Sequence, residues 1–230
     1  MKTIGLIGGM SWQSSLEYYR IINETVEKKL GGFHSAKSVM ISVDFAEIEQ
    51  LQHAQKWKKA TEMMIEAAQS VEKAGAELLV ICTNTMHKMA EEVQASIEIP
   101  LIHIVDVTGE AIMALGLRKV GLLGSRFTME EGFYKERLRR KYGIDVLVPE
   151  EKDRRYIHTI IYHELCKGIL RKVTQAKFKK IIDRLISFGA EGVILGCTEI
   201  PLLVKQKDYA IPLFDTTTLH AQAAVDFALK

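Results

Sequence analysis

The chain has 230 residues, 47% hydrophobic and 26% charged, with 31 basic against 29 acidic side chains and a formal net charge of +2. This balance excludes disordered, collagen-like and coiled-coil classes, and no long block of like charge points to nucleic acid. Apolar runs such as Leu78 to Cys82 stop far short of the roughly 18 residues that a membrane-spanning helix needs.

Residues 2–7 read as a first strand that breaks at Gly8 and Gly9 before a signal-peptide core can develop, so a cytoplasmic protein is expected. Helical periodicity follows over 14–30, then a strand over 38–43. A helix over 57–74 carries Met63, Ile65, Ala67 and Val71 on one broad apolar stripe. Short β-branched runs at 77–81 and 101–103 complete four strands in the first half, and in the second half 175–188 is again helical. Such alternation predicts mainly parallel sheets with helices on both faces.

The sequence repeats itself. Ile4-Gly-Leu-Ile-Gly matches Val120-Gly-Leu-Leu-Gly, Thr83 within its strand and loop matches Cys197, and Ile99-Pro-Leu-Ile matches Ile211-Pro-Leu-Phe. The offsets are 116, 114 and 112 residues, in order along the chain. A duplicated strand-glycine-helix plan follows. The fold expected is therefore α/β, with two pseudo-symmetric lobes, each a four-stranded sheet. Ligands of open parallel sheets sit beyond the carboxyl ends of the strands. The active site is accordingly expected in a cleft between the lobes, with Thr83 opposite Cys197.

Gly5-Leu-Ile-Gly-Gly lacks the spacing of a dinucleotide fingerprint, which leaves a tight turn serving packing or a small anion. The three cysteines, Cys82, Cys166 and Cys197, have no CxxC spacing, so they read as thiols, not disulfides. Cys197 follows the apolar run Val193-Ile-Leu, where a thiol either lines a cleft or simply packs. Alternation points Cys82 and Thr83 in opposite directions, and the repeat pairs Thr83 with Cys197, so Cys82 is expected in the core. Cys166, on a helical pattern, is also assigned to the core. Seven histidines show no metal-ligand spacing, and no metal is expected. His87 and Glu199 are positioned to orient groups or relay protons near the cleft, or equally to cap helices.

These residues carry a resemblance. The opening Gly-Gly-Met10 loop, Asn84-Thr85-x-His87 and Gly-Cys197-Thr-Glu199 resemble the aspartate/glutamate racemases of the Asp/Glu/hydantoin racemase superfamily, in particular the L-aspartate/glutamate-specific subgroup. That resemblance implies racemisation without pyridoxal phosphate or any other cofactor, by two groups on opposite faces of the α-carbon. Where the family has its first cysteine this chain has Thr83, as that subgroup does. A hydroxyl is a far weaker acid than a thiol and a poor base. The resemblance implies that Cys197, in the place of the family's second cysteine, faces and removes the α-proton of the L-enantiomer, with Thr83 serving the opposite face; the weaker hydroxyl makes turnover starting from the D-enantiomer slow or absent. The resemblance also implies that Asn84, Thr85, Thr128 and Thr198 bind the substrate carboxylate, with help from helix N-termini, and that Met10 and Gln52 line the pocket. Lys167 and Arg126 are candidates for the cation on the distal carboxylate.

Family architecture implies a first lobe of 1–104 with 212–230 and a second of 105–211. A homodimer is expected, with a small amino acid as the only partner. Two alternatives remain at this point: a single-cysteine decarboxylase or isomerase of the same superfamily, and an amino-acid-binding protein without catalysis.

Overall fold

A computed structural model describes residues 1–230, which divide into two units, Met1–His103 with His220–Lys230, and Ile104–Leu219. In the first, strand β1 (Ile4–Gly8), helix α1 (Trp12–Leu30), β2 (Ser38–Ser42), α2 (Phe45–His53), α3 (Trp57–Lys73), β3 (Leu78–Ile81) and α4 (Ala90–Gln94) follow in order. The second holds α5 (Ile104–Ala114), β4 (Lys119–Gly124), α6 (Arg126–Glu130), α7 (Gly132–Tyr142), β5 (Asp145–Leu147) and α8 (Glu151–His163). It continues through α9 (Lys172–Ser187), β6 (Gly192–Gly196), α10 (Ile200–Leu203) and β7 (Leu213–Asp215). Helix α11 (Thr216–Ala228) begins in the second unit and ends in the first. No helix is long and apolar enough to cross a membrane.

All strand pairs are parallel, in the orders β2-β1-β3 and β5-β4-β6-β7. The duplicated plan is visible in the matching orders, but the first sheet has three strands where four were expected. The segment at 101–103 is reduced to one bridge, Leu79 to Leu101. There Leu79 donates to the Pro100 carbonyl at 2.8 Å and accepts from the Ile102 N–H at 2.9 Å, and the chain then enters α5. In the second unit Val193 donates to the Pro212 carbonyl at 2.9 Å in the same way, and pairing runs on to Leu195 and Asp215. This pairing keeps β7 with the second unit. The chain therefore returns to the first unit after Leu219, later than the expected position near 211.

Strand alternation divides the first unit's core into two. Ile4, Leu6, Leu78, Val80 and Cys82 pack with Tyr18 and Ile22 of α1 and with Ala221, Ala224 and Val225 of α11. Ile7, Leu79 and Ile81 face Ile48 of α2 and Met64, Ala68 and Val71 of α3. The second unit has one continuous core, built on Val120, Leu122, Val193, Ile194 and their helices. Each fully buried aliphatic side chain contributes about 2 kcal/mol to folding.

The turn after β1 depends on a glycine. Gly9 has φ +91°, and a Cβ there would lie 2.1 Å from the Val43 carbonyl oxygen. Gly9→Ala should lower folding stability by about 1–3 kcal/mol. The measurement is the urea unfolding midpoint, and an unchanged midpoint would show that the turn relaxes freely.

Candidate functional site

In the first unit, β3 delivers Cys82 into the core beneath α1 and α11, where burial pushes its thiol far above the ordinary cysteine range. Thr83, the next residue, is half-buried at the strand end. Both of its flanking peptide groups are tied. Its N–H donates to the Ile81 carbonyl at 2.8 Å, and its carbonyl accepts from His87 Nδ1 at 2.8 Å. A carbonyl can only accept, so Nδ1 of His87 carries the proton. Asn84, Thr85 and His87 are buried in and beside a 3₁₀ turn, Thr85–Met89. The buried Gln52 amide on α2 donates to Met86 Sδ at 3.1 Å, and Met10 shares that core with Met86. The first unit thus brings Met10, Gln52 and residues 83–87 into one neighbourhood.

Beneath the turn lies a group of imidazoles. The His87 ring centre is 4.9 Å from that of His103 and 5.4 Å from that of His220. His220 Nε2 is 2.6 Å from the Ile102 carbonyl and must be the protonated nitrogen, so its Nδ1 accepts from the Tyr18 hydroxyl at 2.8 Å. Burial pushes the pKa of His220 down to about 4. For His87, burial lowers the value well below the ordinary imidazole range, and His103 and His220 add to the fall against opposing carbonyls of Thr83 and Ile102. Both rings are neutral at pH 7.

In the second unit, β6 ends at Gly196. A Cβ on Gly124 would lie 2.8 Å from the Gly196 carbonyl, so the two strand ends approach closely only because both residues lack side chains. Cys197 follows, half-buried. Its Sγ lies 2.9 Å from Oε2 of the buried Glu199, which also accepts from Thr198 Oγ1 at 2.7 Å. Burial pushes the Cys197 thiol well above its ordinary range, and the Glu199 charge adds to the rise. Thr128 lies on α6, fully buried, with its N–H donating to Ser125 Oγ at 3.2 Å.

Two expectations change. Cys166 is not simply a core residue: it is half-buried in a 3₁₀ turn, and its Sγ approaches Glu199 Oε1 at 3.5 Å. Its thiol too is raised, by burial first and then by Glu199. Nor are the helices that follow β3 and β6 strong dipoles. The first begins as the 3₁₀ turn, the second has four residues, and the Thr198 hydroxyl is engaged by Glu199. Anion binding here would rest on individual N–H and side-chain donors. Of the two candidate cations, Lys167 directly follows Cys166, and Arg126 opens α6 with its guanidinium 5.6 Å from the Phe127 ring centre. No three His, Cys, Asp or Glu side chains are placed to hold a metal ion.

A family model described as Asp/Glu/Hydantoin racemase matches residues 7–224. Among solved structures, a Yersinia pestis protein provisionally named an Asp/Glu racemase is 50% identical with a TM-score of 0.93, over 100% of both chains. An aspartate racemase homologue from Pyrococcus horikoshii is 35% identical with a TM-score of 0.87, again over 100% of both. The broad specificity amino-acid racemase of Bacillus subtilis is 24% identical over 170 residues, 70% of this chain and 69% of that one.

The buried imidazoles predict a pH dependence of stability. His220 falls from 6.5 unfolded to about 4 folded, so its stabilising contribution is full above pH 6.5 and is lost as pH falls toward 4. This amounts to about 3 kcal/mol between pH 7 and pH 4. Urea unfolding across that range should show the loss, with a shallower slope in His220→Gln, and equal slopes would contradict it.

Proposed function

The chain belongs to the Asp/Glu/hydantoin racemase family and is an amino-acid racemase; from that premise we propose that it racemises aspartate and glutamate without a cofactor. Cys197 takes the α-proton of the L-enantiomer, and the opposite face is reprotonated at Thr83. The observation that carries this reading is the equivalence of the two positions: each follows a fully buried strand, β3 or β6, at the same place in the repeat.

At rest the Cys197 thiol keeps its proton, because burial and the adjacent Glu199 carboxylate disfavour a thiolate. Glu199 Oε2, 2.9 Å from Sγ, is placed to accept that proton when the substrate ammonium enters. The thiolate then takes the α-proton, and the electron pair left on the α-carbon spreads into the substrate carboxylate. Asn84, Thr85, Thr128 and Thr198 are the donors assigned to that carboxylate, with Met10 and Gln52 lining the pocket. Lys167 or Arg126 pairs with the distal carboxylate. Thr83 gives its hydroxyl proton to the opposite face and recovers one from solvent, while Glu199 releases to solvent the proton it took from Cys197.

The two enantiomers have equal free energy, so inversion at limiting substrate has the same kcat/KM from either side. The inequality between thiol and hydroxyl therefore appears as α-proton exchange with retention. It does not appear as one-way racemisation, so the expectation that turnover from D-substrate is slow or absent applies to exchange of its α-proton and not to inversion.

Cys197→Ala should lower α-proton exchange from L-aspartate or L-glutamate in deuterated buffer by about 100- to 10,000-fold. Thr83→Ala should keep exchange while losing inversion, as read by chiral chromatography. Exchange that survives in Cys197→Ala would contradict this assignment of the base.

A further inference from the structure

We propose that His87 is a positioning residue for Thr83, setting how often the carbanion is protonated with inversion instead of retention. This rests on the assignment of Thr83 to the inverting face. Thr83 is held by its backbone at both sides: N–H to Ile81 and carbonyl to His87 Nδ1, each at 2.8 Å. With both peptide planes fixed, the direction of Cβ is fixed, and a β-branched side chain then has few χ1 choices. The His87 contact is with the carbonyl, so the imidazole orients Thr83 instead of passing it a proton.

The His87 ring is itself held in one orientation and one tautomer. It is buried between His103 and His220, and His220 is fixed by Tyr18 on one nitrogen and by the Ile102 carbonyl on the other. The repeat supplies the contrast. Four residues after Cys197, where the first copy has His87, the second copy has Pro201, which has no side-chain donor. There the reactive side chain is held directly, Sγ to Glu199. One copy fixes its reactive residue through the backbone and the other through the side chain.

The test compares His87→Asn, whose amide nitrogen overlays Nδ1, with His87→Gln, whose amide nitrogen overlays Nε2, and with His87→Ala. Each is given L-aspartate and L-glutamate in deuterated buffer. NMR reads exchange with retention, which needs only Cys197, and chiral chromatography reads inversion. Inversion should fall roughly 10- to 100-fold relative to exchange in His87→Gln and His87→Ala, while His87→Asn keeps the wild-type ratio. If His87→Ala does not fold, the Asn and Gln pair decides alone. Exchange and inversion falling in parallel, or equal ratios in the Asn and Gln variants, would overturn the proposal. Absence of exchange in the wild type would remove the racemase reading beneath it, a separate failure.

Discussion

In a parallel sheet covered on both faces, a strand is committed to the core until its last residue, and only there can a side chain turn to chemistry. Alternation along β3 sends Leu78, Val80 and Cys82 to the core under α1 and α11 and releases Thr83 at the strand end. β6 does the same with Cys197 after Gly196. The features around each exit serve it. The glycine approach of Gly124 and Gly196 brings neighbouring strand ends together, and the 3₁₀ turn after Thr83 folds His87 back onto its carbonyl.

The two copies have diverged in chemistry while keeping their backbone plan. One presents a hydroxyl on a residue whose backbone carbonyl is held by a neutral, buried imidazole; the other presents a thiol against a buried carboxylate. In the second, Sγ lies 2.9 Å from Glu199 Oε2, and Cys166 and Thr198 supply further contacts to the carboxylate. In the first, the imidazole contacts the Thr83 carbonyl and not its hydroxyl. An enzyme built this way should differ between its two faces.

Much of this was legible in the sequence. The strand-glycine signals and their offset identify the duplication, which the matching strand orders show; the pairing of Thr83 with Cys197 is a reading drawn from that repeat and from alternation. The fourth strand of the first sheet was overestimated, because a single bridge at Leu101 and a short strand at Leu213 look alike in sequence. The next helix begins at the same spacing after both, at Ile104 and at Thr216, so spacing does not separate them either. Cys166 gave no signal: its contact with Glu199 joins residues 33 apart, and helical periodicity alone makes it core. The Tyr18 and His220 bond spans 202 residues and was equally invisible. Local pattern reveals strands and their ends, whereas polar networks that close between distant elements need coordinates.

The chemical inequality proposed between Thr83 and Cys197 is measured most directly as the initial rate of α-proton loss from the L- and D-forms of aspartate and glutamate. The wild-type enzyme in deuterated buffer, followed by proton NMR, is sufficient. Exchange from the L-form should exceed that from the D-form by at least about tenfold, a difference of about 1.4 kcal/mol in barrier. Equal rates from the two enantiomers would mean that the carbanion is not returned preferentially to the L-face, which would contradict unequal roles for Cys197 and Thr83.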